Sequence, residues 1–268
     1  TSNDKAVEGL GTGCMGDSTV CISLGTYTSA MMEGKENLKG TSYAWPKFSC
    51  MPNKYLYDSN GIRRGMWTVS WYRDILGEGY AKLAKEQGMS PEEALGREAE
   101  KVPVGSDGLM NWLANVDARY QKGIMIGFDG RHTRGHIYRS ILEAVAMTMK
   151  RHVTDMCNEV GTTINKLIIT GGGSNSDLFM QIFADVFDIP IVRNEVNGAA
   201  GLGSAICAAV AANVYDSFES AVEHMVRIKD TFTPIAENVE IYEKLLPVYS
   251  EITGCTDPIL KKSYEIFD

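Results

Sequence analysis

Apolar residues recur every four positions in one part of this chain: Ile137, Ile141, Val145, Met149 and Val153, with Leu142 and Met156 widening the stripe. That period predicts a long helix after "HTRGH" with one face in a core. Downstream come a short apolar run, "KLIIT", three glycines, an amphipathic segment "SDLFMQIFADVF", a second apolar run "IPIVR" and a small-residue segment "GAAGLGSAICAAVAANV". Strand, helix, strand, helix in that order predicts a parallel α/β arrangement. Upstream, "NDKAVEGLG" opens on cap-type residues and predicts a helix, and "STVCISLGTYTSAMM" is two β-rich runs around Gly25-Thr26, which predicts a hairpin. Residues 34–64 are rich in loop formers, with Pro46, Pro52 and an isolated strand "YLYD". From Gly65 to Lys101 the pattern is helical, with Pro91 at a first helical position followed by acids. The tail from Asp216 reads as mostly helical, and no internal repeat is visible.

The glycines at 171–173 admit two readings. Bare backbone between a strand and a helix allows a tight turn and close packing with no ligand. It also allows a flat or phosphorylated ligand to approach a strand end beside a helix N-terminus. The two commonest nucleotide loops do not fit: Ser176 stands where a dinucleotide fingerprint needs its last glycine, and no Gly-Lys-Ser/Thr follows. Gly25 and Thr26 sit where backbone amides and a hydroxyl could meet a phosphate, although Gly-Thr turns are also everyday hairpin chemistry. Asp4, at a helix start, is either a cap or dipole partner or a general base.

Composition narrows the setting. The chain has 268 residues, 44% of them apolar, enough for a substantial core. No apolar run is long enough to span a bilayer, and the opening "TSNDKAVEGL" lacks the parts of a signal peptide. Six scattered cysteines without a Cys-x-x-Cys pair predict reduced thiols and a cytoplasmic setting. With 26 basic against 34 acidic side chains, the formal charge of −8 argues against nucleic-acid binding. The histidines of "GRHTRGH" predict capping and surface roles rather than metal ligation, while Thr133 and Arg134 could face a nucleotide or solvent.

Taken together and in order, "NDKAVEGLG", "VCISLGTYTSAM", "RRGMWTVSWYRD", "HTRGHIYRSILEAVA", "LIITGGGSNSDLFMQIFADVF" and "NEVNGAAGLGSAICAAV" resemble the C-terminal lobe of the FGGY carbohydrate kinases, with a xylulose-kinase-like flavour in "GGGSNS" and "GIRRGMW". The resemblance implies an α/β, ribonuclease-H-like or actin-like ATPase lobe, a mixed sheet flanked by helices. It implies transfer of the γ-phosphoryl group of ATP, with Mg2+, to a sugar or polyol hydroxyl. Position by position it implies Asp4 as catalytic base, Gly25 and Thr26 at the phosphates, Gly65 bordering the nucleotide, and Gly172, Gly173 and Asn175 at the adenosine. Phosphoryl transfer asks mainly for positioning and charge stabilisation, so a base, backbone amides and a metal suffice. Metal ligands are not identifiable from the sequence.

Two departures stand against the family pattern: "LMNWLANVDARYQKG" carries no Gly-Glu-Arg, and Lys5 follows Asp4 where Gln is usual. The resemblance further implies that residues 1–268 are one lobe, with an insertion at about 34–125 and a helical tail from about 216. An N-terminal lobe is then missing from this chain, which alone would be inactive because catalysis needs two lobes to close. Expected partners are the substrate, that lobe and a second copy in a homodimer, with neither nucleic acid nor membrane. Two rivals share the superfold: a non-catalytic actin-like regulatory module, which needs no base at Asp4, and an acyl-phosphate kinase, which needs a His and Arg cluster near the acceptor.

Overall fold

The computed structural model describes residues 3–114 and 118–267. Residues 115–117, inside the segment where Gly-Glu-Arg is missing, lie outside the described residues, as do 1, 2 and 268. In chain order the elements are α1 (Asp4–Thr12), β1 (Thr19–Leu24), β2 (Thr28–Gly34), β3 (Ala44–Phe48), β4 (Tyr55–Ser59), α2 (Gly65–Ile75), α3 (Gly77–Glu86), α4 (Pro91–Ala99), β5 (Met110–Trp112), β6 (Ile124–Ile126) and α5 (Arg134–Val160). They continue with β7 (Lys166–Thr170), a 3-10 turn (Gly172–Asn175), α6 (Asp177–Phe187), β8 (Ile191–Asn194), α7 (Ala199–Ala211), α8 (Phe218–Met225), β9 (Ile228–Phe232) and α9 (Ala236–Phe267). The described residues divide into two compact units: Thr1–Gly61, Met149–Asn175 and Ile189–Thr233 form one, and Ile62–Thr148, Ser176–Asp188 and Pro234–Asp268 the other.

The first unit is built on a mixed sheet in the order β3-β4-β2-β1-β7-β8-β9. β1 runs antiparallel to β2 and parallel to β7, and β7 runs parallel to β8. Every residue of β1 and β2 is buried, as expected of central strands covered on both faces, which read as continuous rather than alternating apolar runs. The expected α/β order is therefore present. "YLYD", expected as an isolated strand, is paired on both sides as β4. The tail, expected to be mostly helical, holds β9, the edge strand beside β8. Its five residues "IKDTF" are half-exposed and charged, too short and too polar to announce a strand. Opposite, edge strand β3 carries Pro46, which cannot donate to another strand. Its start is fixed by Glu159, whose carboxylate accepts from the amides of Ser42, Tyr43 and Ala44 at 2.7–2.8 Å and is held below its usual pKa by them.

α1 and α7 cross where neither has a side chain. A Cβ on Gly11 would lie 1.9 Å from the carbonyl oxygen of Ala199, and one on Gly203 would lie 1.8 Å from that of Val7. Only glycine lets the two backbones approach this closely. Asn194 at the end of β8 donates to the Thr12 carbonyl at 3.0 Å, closing the far end of α1 onto the sheet.

The second unit holds α2, α3, α4, α6, α9, the first part of α5 and a two-stranded sheet of β5 and β6 that the sequence did not announce. α4 has Pro91 in its first turn, as expected, and starts on a capping box between Ser90 and Glu93. Glu143, 2% exposed, accepts from the Gly105 amide, the Ser106 hydroxyl, Arg139 and the Tyr242 hydroxyl at 2.8–2.9 Å. It anchors four consecutive positive-φ residues, Gly105 to Gly108. The Arg139 and Glu143 pair of α5 is thus a buried polar clamp.

Two outcomes follow from this packing. Gly203→Ala should lower stability by about 1–3 kcal/mol or more through overpacking, whereas Gly201→Ala in the same helix, with nothing within 4 Å of its Cβ position, should gain up to about 1 kcal/mol of helix propensity. Urea unfolding of both variants checks this. His152 is held neutral: burial above all, and then Arg151, lowers its pKa from 6.5 to about 4, against a raising bond from the Asn60 backbone. The unfolded chain therefore binds more protons between those values, and stability falls as pH drops from about 6.5 to about 4. From pH 7 to pH 5 the chain should lose about 2 kcal/mol that His152→Gln does not lose, read from parallel urea curves.

Candidate functional site

Three parallel strands of the first unit end side by side. Ser23 of β1 is in register with Thr170 of β7, so the hairpin Gly25-Thr26-Tyr27 and the turn Gly172–Asn175 leave the sheet from adjacent C-terminal ends. β8 ends on the same edge and leads into the loop that carries Asn197. The crevice outside such strand ends is where open α/β sheets receive ligands.

The three glycines after β7 do different work. Gly171 has φ +88°, and a Cβ there would lie 2.7 Å from the Leu24 carbonyl oxygen, so it serves the turn and the packing of β7 on β1. Gly172 is exposed, with nothing within 4 Å of its Cβ position, while Gly173 is buried and Asn175 exposed. The turn is tied internally by the Ser174 hydroxyl donating to the Gly171 carbonyl at 2.7 Å. It is tied to the β8 loop by Asn197, which donates to the Asn175 side-chain oxygen at 3.2 Å. Ser176 caps α6 by accepting from the Phe179 amide.

At the hairpin, Thr26 is exposed and Gly25 half-buried, and the Thr28 hydroxyl donates to the Gly25 carbonyl at 3.2 Å. The ring of Tyr27 lies where a Cβ on Gly61 would sit. α1 brings Asp4 to the same end. Its helix cap is Asn3, whose side chain accepts from the Ala6 amide, so Asp4 is not needed as the cap and stays exposed. Lys5, a residue the sequence left undecided, turns inward: its ammonium donates to Ser23 Oγ and Glu8 Oε2, each at 2.9 Å, and Ser23 donates to Glu8 Oε1 at 2.6 Å. This clasp fastens the start of α1 to the end of β1. Asp4, Gly25, Thr26, Gly172, Gly173 and Asn175 are therefore gathered at one end of the first unit. Gly65 begins α2 in the second unit, where it is buried.

Burial, as the leading cause, pushes the Cys14 thiol up to about 12 and Cys21 well above its usual range. In the second unit, His132 Nδ1 accepts from the Asp129 amide at 2.8 Å and His136 Nδ1 bonds the Thr133 hydroxyl at 2.9 Å, which are loop and cap roles. Arg134 pairs with Glu98 at 2.6 Å and lies over the Tyr80 ring. Thr133, Arg134 and His136 line an open cavity of about 580 Å³ with Glu98, Lys101 and Val102. Among the described residues, no three His, Cys, Asp or Glu side chains come together as a metal site.

One residue the sequence reading passed over is Arg193 of β8, 8% exposed, which donates to the Ser174 carbonyl at 2.8 Å. Its signal was a charge ending the apolar run "IPIVR".

The arrangement has counterparts. Residues 20–212 match the model of the C-terminal domain of the FGGY family of carbohydrate kinases. The chain is 50% identical over 270 residues to the "Uncharacterized sugar kinase YgcE" of Escherichia coli (strain K12), covering 99% of this chain and 55% of that protein. It is 25% identical over 258 residues to a xylulose kinase of Bacillus subtilis (strain 168), covering 93% of this chain and 49% of that one. Its fold superimposes on the crystal structure of xylulose kinase from Rhodospirillum rubrum with a TM-score of 0.83 at 23% identity, over 96% of this chain and 51% of that one. This is the actin-like ATPase fold expected from the sequence, and the chain spans about half the length of the curated relatives it matches. On the extent of the family match and the identity to its relative, this chain belongs to the FGGY family of carbohydrate kinases.

Proposed function

We propose that this chain is the nucleotide-binding lobe of an enzyme that transfers the γ-phosphoryl group of ATP to a hydroxyl of a sugar or polyol, and that it also supplies the base. The observation that carries the reading is the meeting of hairpin, glycine turn and α1 start at three neighbouring strand ends. The adenosine lies against Gly172, where open space replaces a side chain, with Asn175 beside it and Gly173 shaping the turn from beneath. The phosphates run toward Gly25 and Thr26, where exposed backbone and a hydroxyl offer donors without net positive charge. Gly65, at the start of α2, is assigned to the nucleotide on the family resemblance alone.

Asp4 accepts the proton of the acceptor hydroxyl as it attacks, a role its exposed position and the separate Asn3 cap leave it free to take. Mg2+ would be brought by the nucleotide, since it is usually held by few protein carboxylates together with substrate oxygens. When bound, it neutralises charge on the transferring group. We read residues 1–268 as one lobe with an insertion at about 34–125 and a tail from about 216 that is helical apart from β9. Its partner lobe is supplied by the other half of proteins as long as the relatives, so that transfer needs both. A xylulose-like ketose is the proposed substrate class, in a soluble cytoplasmic enzyme that pairs as a homodimer.

Calorimetric titration with Mg·ADP tests the nucleotide half of this proposal. Gly172→Leu should remove binding by filling the adenosine space, and Asp4→Ala should keep it within about twofold, because the base meets the acceptor and not the nucleoside. Equal binding by the folded glycine variant would contradict the assignment of the turn.

A further inference from the structure

The turn that Gly172 opens is not held by its own bonds alone. Behind it lies Arg193, whose guanidinium is fixed on three sides: Nη1 donates to the carbonyl of Ser174, Nε donates to Asp230 Oδ2 at 2.9 Å with Nη2 on the same oxygen, and the plane lies 5.3 Å from the Phe232 ring centroid. Asp230 is the cross-strand partner of Arg193, and Phe232 follows two residues on, hence on the same face of β9. The ladder is irregular at Arg193/Asn194. Ser174 itself is 1% exposed, so its carbonyl has no water to turn to.

A buried cation is costly unless paired and hydrogen-bonded; here Nε and Nη2 go to Asp230, and Nη1 goes to a backbone oxygen of the turn. A β8–β9 staple alone would need only the Asp230 pair. The further bond, to the carbonyl of Ser174, fixes the peptide between Ser174 and Asn175, two residues beyond the open position at Gly172 in the same turn. We infer that Arg193 is a positioning residue for the nucleotide turn, locked in place by Asp230, and that β9 serves the site by presenting that carboxylate. The inference rests on the nucleotide reading of the turn. Holding the turn in its bound form before the ligand arrives removes an ordering cost from binding.

The test is the Mg·ADP affinity of the folded chain at low temperature, with fold checked by circular dichroism, for the unaltered chain, Arg193→Met, Arg193→Lys, Asp230→Asn and the double variant Arg193→Met/Asp230→Asn. Loss of a charge-assisted bond predicts about tenfold weaker binding or more for Arg193→Met. Lysine should restore part of it, because it keeps the charge but not the fork. The double variant should bind no more weakly than Arg193→Met, as expected if both act through one path. A merely structural role would lower the melting temperature and leave the affinity of the folded protein unchanged, and that result overturns the proposal. If Arg193→Met does not fold, Arg193→Lys and Asp230→Asn decide: weakened binding by folded protein supports the proposal, and unchanged affinity overturns it. Failure of the unaltered chain to bind overturns the nucleotide reading and this inference together, an outcome distinct from equal binding by all variants.

Discussion

The backbone-to-backbone crossing of α1 and α7 at Gly11 and Gly203 is the constraint on which the rest of the first unit depends. A methyl group at either position would overlap a carbonyl oxygen of the other helix. Because the two helices meet at this distance, the start of α1 can be tied by Lys5 to Ser23 at the end of β1, and its end can be tied by Thr12 to Asn194 at the end of β8. Position in this site is therefore inherited from two glycines that touch no ligand. A side chain of any size would move Asp4 relative to the hairpin.

The site's economy follows from the charge of the chain. A chain with a net charge of −8 would have to hold an anionic nucleotide with local donors. The three strand ends offer exposed backbone, a threonine hydroxyl and an asparagine, and the buried cation nearest the turn, Arg193, is committed to Asp230 and to a backbone oxygen. The second unit shows the same habit: Glu143 gathers donors from two loop residues, Arg139 and Tyr242 around a left-handed run of four residues. In both places a buried charge fixes irregular backbone that secondary structure cannot.

Much of the fold was legible in the sequence because its elements carry strong periods or caps. The four-residue stripe from Ile137 marks α5, Pro91 followed by acids marks α4, and the apolar runs before and after the glycines mark β7 and β8. β9 and β4 were harder. β9 is a charged edge strand whose identity comes from its pairing with β8, and β4 was visible as a strand but not as one paired on both sides, which only register reveals. Within the site, the exposed glycine at 172 and the separate roles of Asn3 and Asp4 needed geometry, since three glycines in a row do not say which one is pressed against Leu24. Lys5 and Arg193 were the residues least readable, because a charge that turns inward looks the same in sequence as one that faces water.

The central claim is that one nucleotide spans the hairpin at Gly25-Thr26 and the turn at Gly172–Asn175. Hydrogen–deuterium exchange with and without Mg·ADP tests it most directly. The account predicts that amides of 24–27 and of 172–175 gain protection together while the surface of α3 does not change. Protection of one segment without the other, or of neither at saturating nucleotide, would contradict it.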